Sequence, residues 1–290
     1  MPPVTGLPPD LARIASQAIG KITAVTDRSW ARPDSAVWQV TSGSGSSWFV
    51  KRHQSPLFHH REVTAYRHWT GALGPSRAPA LAAADEQALA IIITSMPGQP
   101  VNGMALSAAD EREAHHQAGV LLRRFHQAAP PAGNPASTDR ATARVEEHLR
   151  RAGEMLSSPQ IHLVRRAADH LQRGARSLPA VPTHGDAQPR NWIWDHATRQ
   201  LAFIDYERAE PAPAVRDLVR LEYGPWDHRP DLREAFLDGY GRVLCDTETE
   251  ALRCLAALDA LSGIQWGTAN NDPEVTNRAW RTFERLSLSL

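Results

Sequence analysis

Hydrophobic periodicity divides the chain into an early strand-rich part and a later helical part. Residues 21–26 and 35–41 alternate polar and apolar side chains, the period of a strand with one buried face. Ser42-Gly43-Ser44-Gly45 predicts a hairpin turn, and residues 46–52 the returning strand. A helix is then signalled by Ser55 as N-cap and Pro56 at its first position. Leu89-Ala90-Ile91-Ile92-Ile93 is an apolar, β-branched run of strand length, followed by a turn at Pro97-Gly98. From residue 107 the period becomes helical. Ser107-Ala108-Ala109-Asp110 reads as a capping box before a stripe of Ala118, Leu121, Leu122 and Phe125. Further helical segments are expected at 139–156, 159–177, 229–243, 248–267 and 274–288. One apolar hairpin interrupts them: Trp192-Ile193-Trp194-Asp195 and Gln200-Leu201-Ala202-Phe203-Ile204, around a polar turn. No internal repeat is present.

Composition narrows the classes. A hydrophobic share of 42% over 290 residues suffices for a core. Lys and Arg balance Asp and Glu, so the chain lacks the charge footprint of a nucleic-acid binder. No apolar run approaches the roughly 20 residues that span a bilayer. Met1-Pro2-Pro3-Val4-Thr5-Gly6 lacks the basic and apolar regions of a signal peptide. Cys245 and Cys254 share a helical stretch at a spacing that suits neither zinc nor a disulfide framework, so both read as reduced thiols. The expectation is a cytoplasmic protein without membrane or nucleic-acid partner, with a monomer favoured.

The chemistry concentrates in Thr183-His184-Gly185-Asp186-Ala187-Gln188-Pro189-Arg190-Asn191 and in Phe203-Ile204-Asp205-Tyr206 beyond the hairpin. Phosphoryl transfer requires mostly positioning and charge neutralisation. One carboxylate, Asp186, can accept a proton from a substrate hydroxyl. Asn191 and Asp205 offer hard oxygen ligands suited to magnesium, and the hairpin between them would return the two side by side.

This layout is similar to the catalytic loop and metal-binding Asp of protein kinases, with Gly185 in place of Arg and Ile-Asp-Tyr in place of Asp-Phe-Gly. That variant resembles the aminoglycoside phosphotransferase and choline kinase branch of the kinase-like fold, most closely over residues 181–222. The resemblance implies a two-lobed α+β protein: a small antiparallel N-lobe with one key helix (1–97) and a larger, mainly helical C-lobe (98–290). It implies that Lys51, in Phe49-Val50-Lys51, contacts nucleotide phosphates and is held by Glu62. Ile93, Thr94 and Met96 would line a hinge against the base of ATP, with GTP not excluded, and magnesium would bridge the phosphates. The loop 27–34 contains no glycine, departing from the protein-kinase phosphate loop, which leaves Ser29 and Ser35 as candidates there. His184 and Asp217 would brace the catalytic loop.

The acceptor implied is a small-molecule hydroxyl. A cationic antibiotic, an aminoglycoside or a tuberactinomycin-type peptide, would be held in the C-lobe by Glu207, Glu210, Asp227, Asp231, Asp272 and Glu274, with Trp226 and Trp266 as further lining. Such an enzyme would confer resistance. The same carboxylates read equally as solvated surface. Two alternatives stand beside this reading: a metabolic kinase of the same fold for choline, homoserine or a sugar, and a catalytically silent nucleotide-binding pseudokinase. Retention of Lys51, Glu62, Asp186, Asn191 and Asp205 argues against the second.

Overall fold

The computed structural model describes residues 6–29, 36–133, 136–174 and 178–288. Its strands are β1 (Ile22–Asp27), β2 (Val37–Ser42), β3 (Ser47–Arg52), β4 (Leu81–Asp85), β5 (Ala90–Thr94), β6 (Gln99–Pro100), β7 (Ala180–Thr183), β8 (Trp192–Asp195), β9 (Gln200–Phe203) and β10 (Glu210–Pro213). The helices are α1 (Pro9–Ile19), α2 (Pro56–His68), α3 (Ala108–His126), α4 (Ala136–Ala143), α5 (Val145–Ala152), α6 (Ser158–Gly174), α7 (Val219–Glu222), α8 (Pro230–Tyr240), α9 (Asp246–Ala269) and α10 (Pro273–Leu288). An antiparallel sheet early in the chain and helices later give the α+β class expected from the sequence. Two compact units result, Met1–Ala105 with Pro189–Ala209, and Leu106–Gln188 with Glu210–Leu290.

In the first unit five strands form one antiparallel sheet in the order β1-β2-β3-β5-β4. Among the described residues the unit carries two α-helices where the sequence reading expected one. α1 packs Leu11, Ile14 and Ala15, spaced i, i+3, i+4, against Val40, Val50 and Ile92. Side chains alternate across a strand, so Val50 faces that cluster and Lys51 projects from the opposite face. α2 supplies Lys51's partner there. α2 begins as predicted, Pro56 at its first position and the Ser55 hydroxyl accepting from the Phe58 amide.

A second sheet in this unit runs β6-β8-β9. Gly98 leads into it at φ +106°, and a Cβ there would lie 2.3 Å from the Trp194 carbonyl oxygen. Only glycine permits both that backbone and that approach. Trp192, Trp194 and Phe203 bury the hairpin, and Trp192 pairs with Phe203.

The second unit is built on helix pairs. One crossing, α3 on α8, is made at two glycines. A Cβ on Gly119 would strike the Phe236 carbonyl, and one on Gly239 the His116 carbonyl, so the backbones meet directly. The segment expected as one helix over 139–156 is α4, α5 and a final 3₁₀ turn. β7 and β10 pair across this unit, Thr183 with Glu210, and β7 delivers the chain to the loop that bears Asp186. No helix of the described residues is long and apolar enough to cross a membrane. Both cysteines are free, Cys254 buried and Cys245 exposed.

Candidate active site

The first group of candidate residues gathers around Lys51 in the first unit. Its ammonium lies 2.8 Å from Glu62, 2.6 Å from Asp205 and 2.9 Å from Glu207. Burial disfavours a charged amine, but these three carboxylates outweigh it and hold the Lys51 pKa well above its usual value. Glu62 is fully buried and is also held from two other sides. His53 Nε2 lies 2.6 Å from its carboxylate, and the Tyr206 amide donates to it at 3.3 Å. The His53 ring is fixed in turn by the Leu89 carbonyl at 3.1 Å from Nδ1. Burial would raise the pKa of Glu62, yet the charge of Lys51 and the His53 contact bring it down to about 2.

That depression makes a testable prediction. A carboxylate whose folded pKa lies below its unfolded value adds stability above the unfolded value and loses it as pH falls through the folded one. For Glu62 the window runs from 4.5 down to about 2. Glu62→Gln should therefore be less stable than wild type at neutral pH, and the gap between their urea midpoints should shrink as pH falls through that window. A gap that stays constant across it would remove the assigned cause.

Asp205 follows β9 with φ +66°, a conformation that costs a non-glycine residue energy and persists where surroundings impose it. The Ile204 amide donates to the Asn191 carbonyl at 3.0 Å, continuing the β8–β9 pairing and setting Asn191 beside the Asp205 corner. Asn191 is buried at 5% exposure. Their amide and carboxylate oxygens are the donor type magnesium prefers. Among the described residues, His53, Glu62 and Glu207 also bring ligand atoms within 4.8 Å of one another. The Lys51 ammonium bonds both carboxylates of that set, so the protein's own cation already serves it.

The second group lies in the second unit and centres on Asp217. Its buried carboxylate accepts from the amides of His184 (2.8 Å) and Gly185 (2.6 Å), and His126 Nε2 lies 3.0 Å away. His126 Nδ1 reaches the Tyr240 hydroxyl at 2.8 Å. Burial pushes the Asp217 pKa up, but the His126 hydrogen bond and the neighbouring imidazoles and amides prevail and lower it. The loop carrying Asp186 is thus suspended from one carboxylate. His184 is fully buried, its ring against Phe125, and Gly185 takes φ +77°. Asp186, 4% exposed, accepts on Oδ1 from the Gln188 amide and from Arg220 Nη1, the latter at 2.5 Å. Arg220 bonds Asp259 with its other arm at 3.0 Å.

The remaining expected residues fall as follows. Ile93 is buried on β5 opposite Phe49, while the Thr94 amide and hydroxyl both bond Ala80, and Met96 is half-buried in the turn after β5. Ser29 closes the base of the β1–β2 loop, its hydroxyl accepting from the Val37 amide at 3.1 Å. Ser35 lies outside the described residues. Glu207, expected among acceptor carboxylates, stands on Lys51. Three others are brought onto arginines: Glu210 to Arg216 and Arg140, Asp227 to Arg285, Asp231 to Arg229. Asp272 caps α10 by accepting from the Val275 amide, and Glu274 is exposed in that helix's first turn. Trp226 is buried against Phe236, and Trp266 is half-buried on α9. His53, Gln188, Arg220 and Asp259 went unsuspected. Of these, only His53 left a local signal, as the polar residue immediately after the lysine strand.

A sheet lysine tied to a helix glutamate and a loop aspartate, on a fold of this kind, defines a kinase-like phosphotransferase. The phosphotransferase enzyme family matches the chain over residues 32–258, and the chain belongs to that family. It is accordingly a nucleotide-dependent kinase of small molecules. Among curated proteins none matches the sequence. Solved structures show the same fold at low identity. The GDP and kanamycin complex of APH(2'')-IIIa aligns at TM-score 0.70 and 15% identity, covering 97% of this chain and 99% of that one. Choline kinase LicA from Streptococcus pneumoniae aligns at 0.68 and 14%, covering 96% and 99%. Spectinomycin phosphotransferase APH(9)-Ia, with ADP and spectinomycin, aligns at 0.65 and 14%, covering 98% and 94%.

Proposed function

We propose that this protein transfers the γ-phosphoryl group of ATP to a hydroxyl of a small cationic acceptor, an aminoglycoside or tuberactinomycin-type antibiotic, and so confers resistance. The observation that carries the kinase part is the Lys51 cluster. Residues 51, 62 and 205, distant in sequence, meet within 2.6–2.8 Å, and the ammonium they fix is the group that contacts nucleotide phosphates in kinases.

Each residue then has a defined task. The acceptor oxygen attacks the γ-phosphorus and the bond from that phosphorus to the β–γ bridging oxygen breaks, its electron pair leaving with ADP. The hydroxyl proton passes to the carboxylate of Asp186 and from there to solvent. Lys51 neutralises phosphate charge, with Glu62 and His53 fixing its position. Asn191 and Asp205 would hold magnesium, which when bound neutralises the charge on the phosphate oxygens. His184 and Asp217 keep the Asp186 loop in one conformation. The division into a nucleotide lobe, 1–97, and an acceptor lobe, 98–290, belongs to the same reading.

The cationic acceptor is supported by relatives. Kanamycin and spectinomycin accompany two of the similar structures, and a third is a choline kinase.

Turnover by the purified protein with magnesium and ATP, against these antibiotics, choline, homoserine and a neutral sugar, tests the reading at low and high salt. Salt screens such attraction over a Debye length of about 8 Å at physiological strength. Acceptor KM should rise clearly with salt while KM for ATP changes less. Turnover of the neutral sugar with a flat acceptor KM would instead establish the metabolic kinase.

A further inference from the structure

Arg220 sits on the short helix α7, one turn after Asp217, and is a surface-type residue placed in a nearly enclosed position. Its side chain is 20% exposed, against 4% for Asp186 and 30% for Asp259. Nη1 donates to Oδ1 of Asp186, while Nη2 and Nε both donate to Oδ1 of Asp259, at 3.0 and 3.3 Å. Burial alone would make the guanidinium easier to deprotonate, but the carboxylates of Asp259 and Asp186 raise its pKa further, so it is a permanent cation. Gln188 donates to the same Asp186 oxygen. Two donors converge on one oxygen of the carboxylate, and the stronger is anchored at its far side by α9.

We propose that Arg220 is a positioning residue for phosphoryl transfer: clamped by Asp259, its guanidinium fixes the plane and rotamer of the Asp186 carboxylate. The proposal rests on the assignment of Asp186 as the base. A planar fork is the group for this task, since it binds two carboxylates along different arms with its own geometry fixed. Lysine is a point charge on a flexible stem and would keep the attraction without the orientation. A carboxylate free to rotate meets the acceptor hydroxyl less often in the productive geometry, and such misplacement lowers kcat while leaving ground-state binding intact.

The experiment is a kinetic double-mutant cycle on the full chain with ATP and its best acceptor, each variant checked for fold by circular dichroism and thermal melting. Arg220→Met should lower kcat by about 10- to 100-fold, with both KM values within about twofold of wild type. Arg220→Lys should fall between the two. In an Asp186→Asn background, Arg220→Met should change the residual kcat by less than about twofold, because a residue acting through Asp186 has nothing left to orient. Folded Arg220→Met with wild-type kcat overturns the proposal, as does an equal loss in both backgrounds or a loss confined to KM. If Arg220→Met does not fold, Asp259→Asn carries the test: a smaller kcat loss that disappears in the Asp186→Asn background supports the clamp, and an unchanged kcat overturns it. Wild-type turnover by Asp186→Asn alone would instead defeat the assignment of the base.

Discussion

Asp186→Asn is expected to fold, to bind nucleotide as wild type does, and to lose kcat by about 10²-fold or more. The fold should survive because the substitution keeps the shape of the side chain, and Arg220 retains Asp259 as a partner. The loop itself hangs from Asp217, not from Asp186. Only the proton-accepting capacity is removed, since an amide oxygen is a far weaker base than a carboxylate. Single-turnover phosphorylation of the acceptor, followed beside calorimetric nucleotide titration, separates the two quantities. Near wild-type turnover would show that the hydroxyl proton leaves by another route.

Asp217→Ala is expected to have the largest effect on stability, about 3 kcal/mol or more. It removes the acceptor from the buried His184 amide and His126 Nε2 and from the half-buried Gly185 amide, and each unsatisfied buried group costs about 1–3 kcal/mol. Urea unfolding at neutral pH measures the loss. Asp217→Asn retains one carbonyl oxygen but turns an NH₂ toward the other donors, so it should recover part of the loss. A shift below about 1 kcal/mol for Asp217→Ala would mean that the loop is held elsewhere. Activity should fall with stability in this series. Asp186→Asn, by contrast, loses activity without stability.

What could be read from the chain depended on how local the chemistry was. Asp186, Asn191 and Asp205 lie within one short stretch whose hairpin is itself legible, so their spacing carried the reading. Lys51 and Glu62 came from the family resemblance, placed on a strand end and a capped helix that were themselves legible. Arg220 was not, because an arginine in Val-Arg-Leu-Glu looks like a solvated helix residue; its partner lies 39 positions on, across a helix pairing that no local pattern encodes. Glu207 is a similar case. Close behind Asp205 it looked like an acceptor carboxylate, and the turn after β9 places it on Lys51.

Among the elements, β10 was hidden by its sequence, Glu-Pro-Ala-Pro, whose prolines cannot donate to a sheet and which lacks β-branched residues. It is tolerated as half of a two-stranded pair. β4, Leu-Ala-Ala-Ala-Asp, is alanine-rich and reads as helix by propensity; pairing with β5 overrides that preference. α1 carries a clear helical stripe at Leu11, Ile14 and Ala15, so it was legible in principle.

The first compact unit is assembled from two stretches of chain, and this governs the order in which it can be completed during synthesis. Lys51 and Glu62 emerge early and can pair at once, but Asp205 is 154 residues behind its lysine. At about 5–20 residues per second the ribosome takes on the order of 10 s to supply it. During that interval β6 has no β8 to pair with, and the ammonium of Lys51 has one carboxylate in place of three. A nascent chain arrested before residue 192, or a fragment ending at residue 105, therefore lacks β8 and β9 and with them the second sheet. The unit that begins first in the sequence is thus completed only once residue 209 has been made.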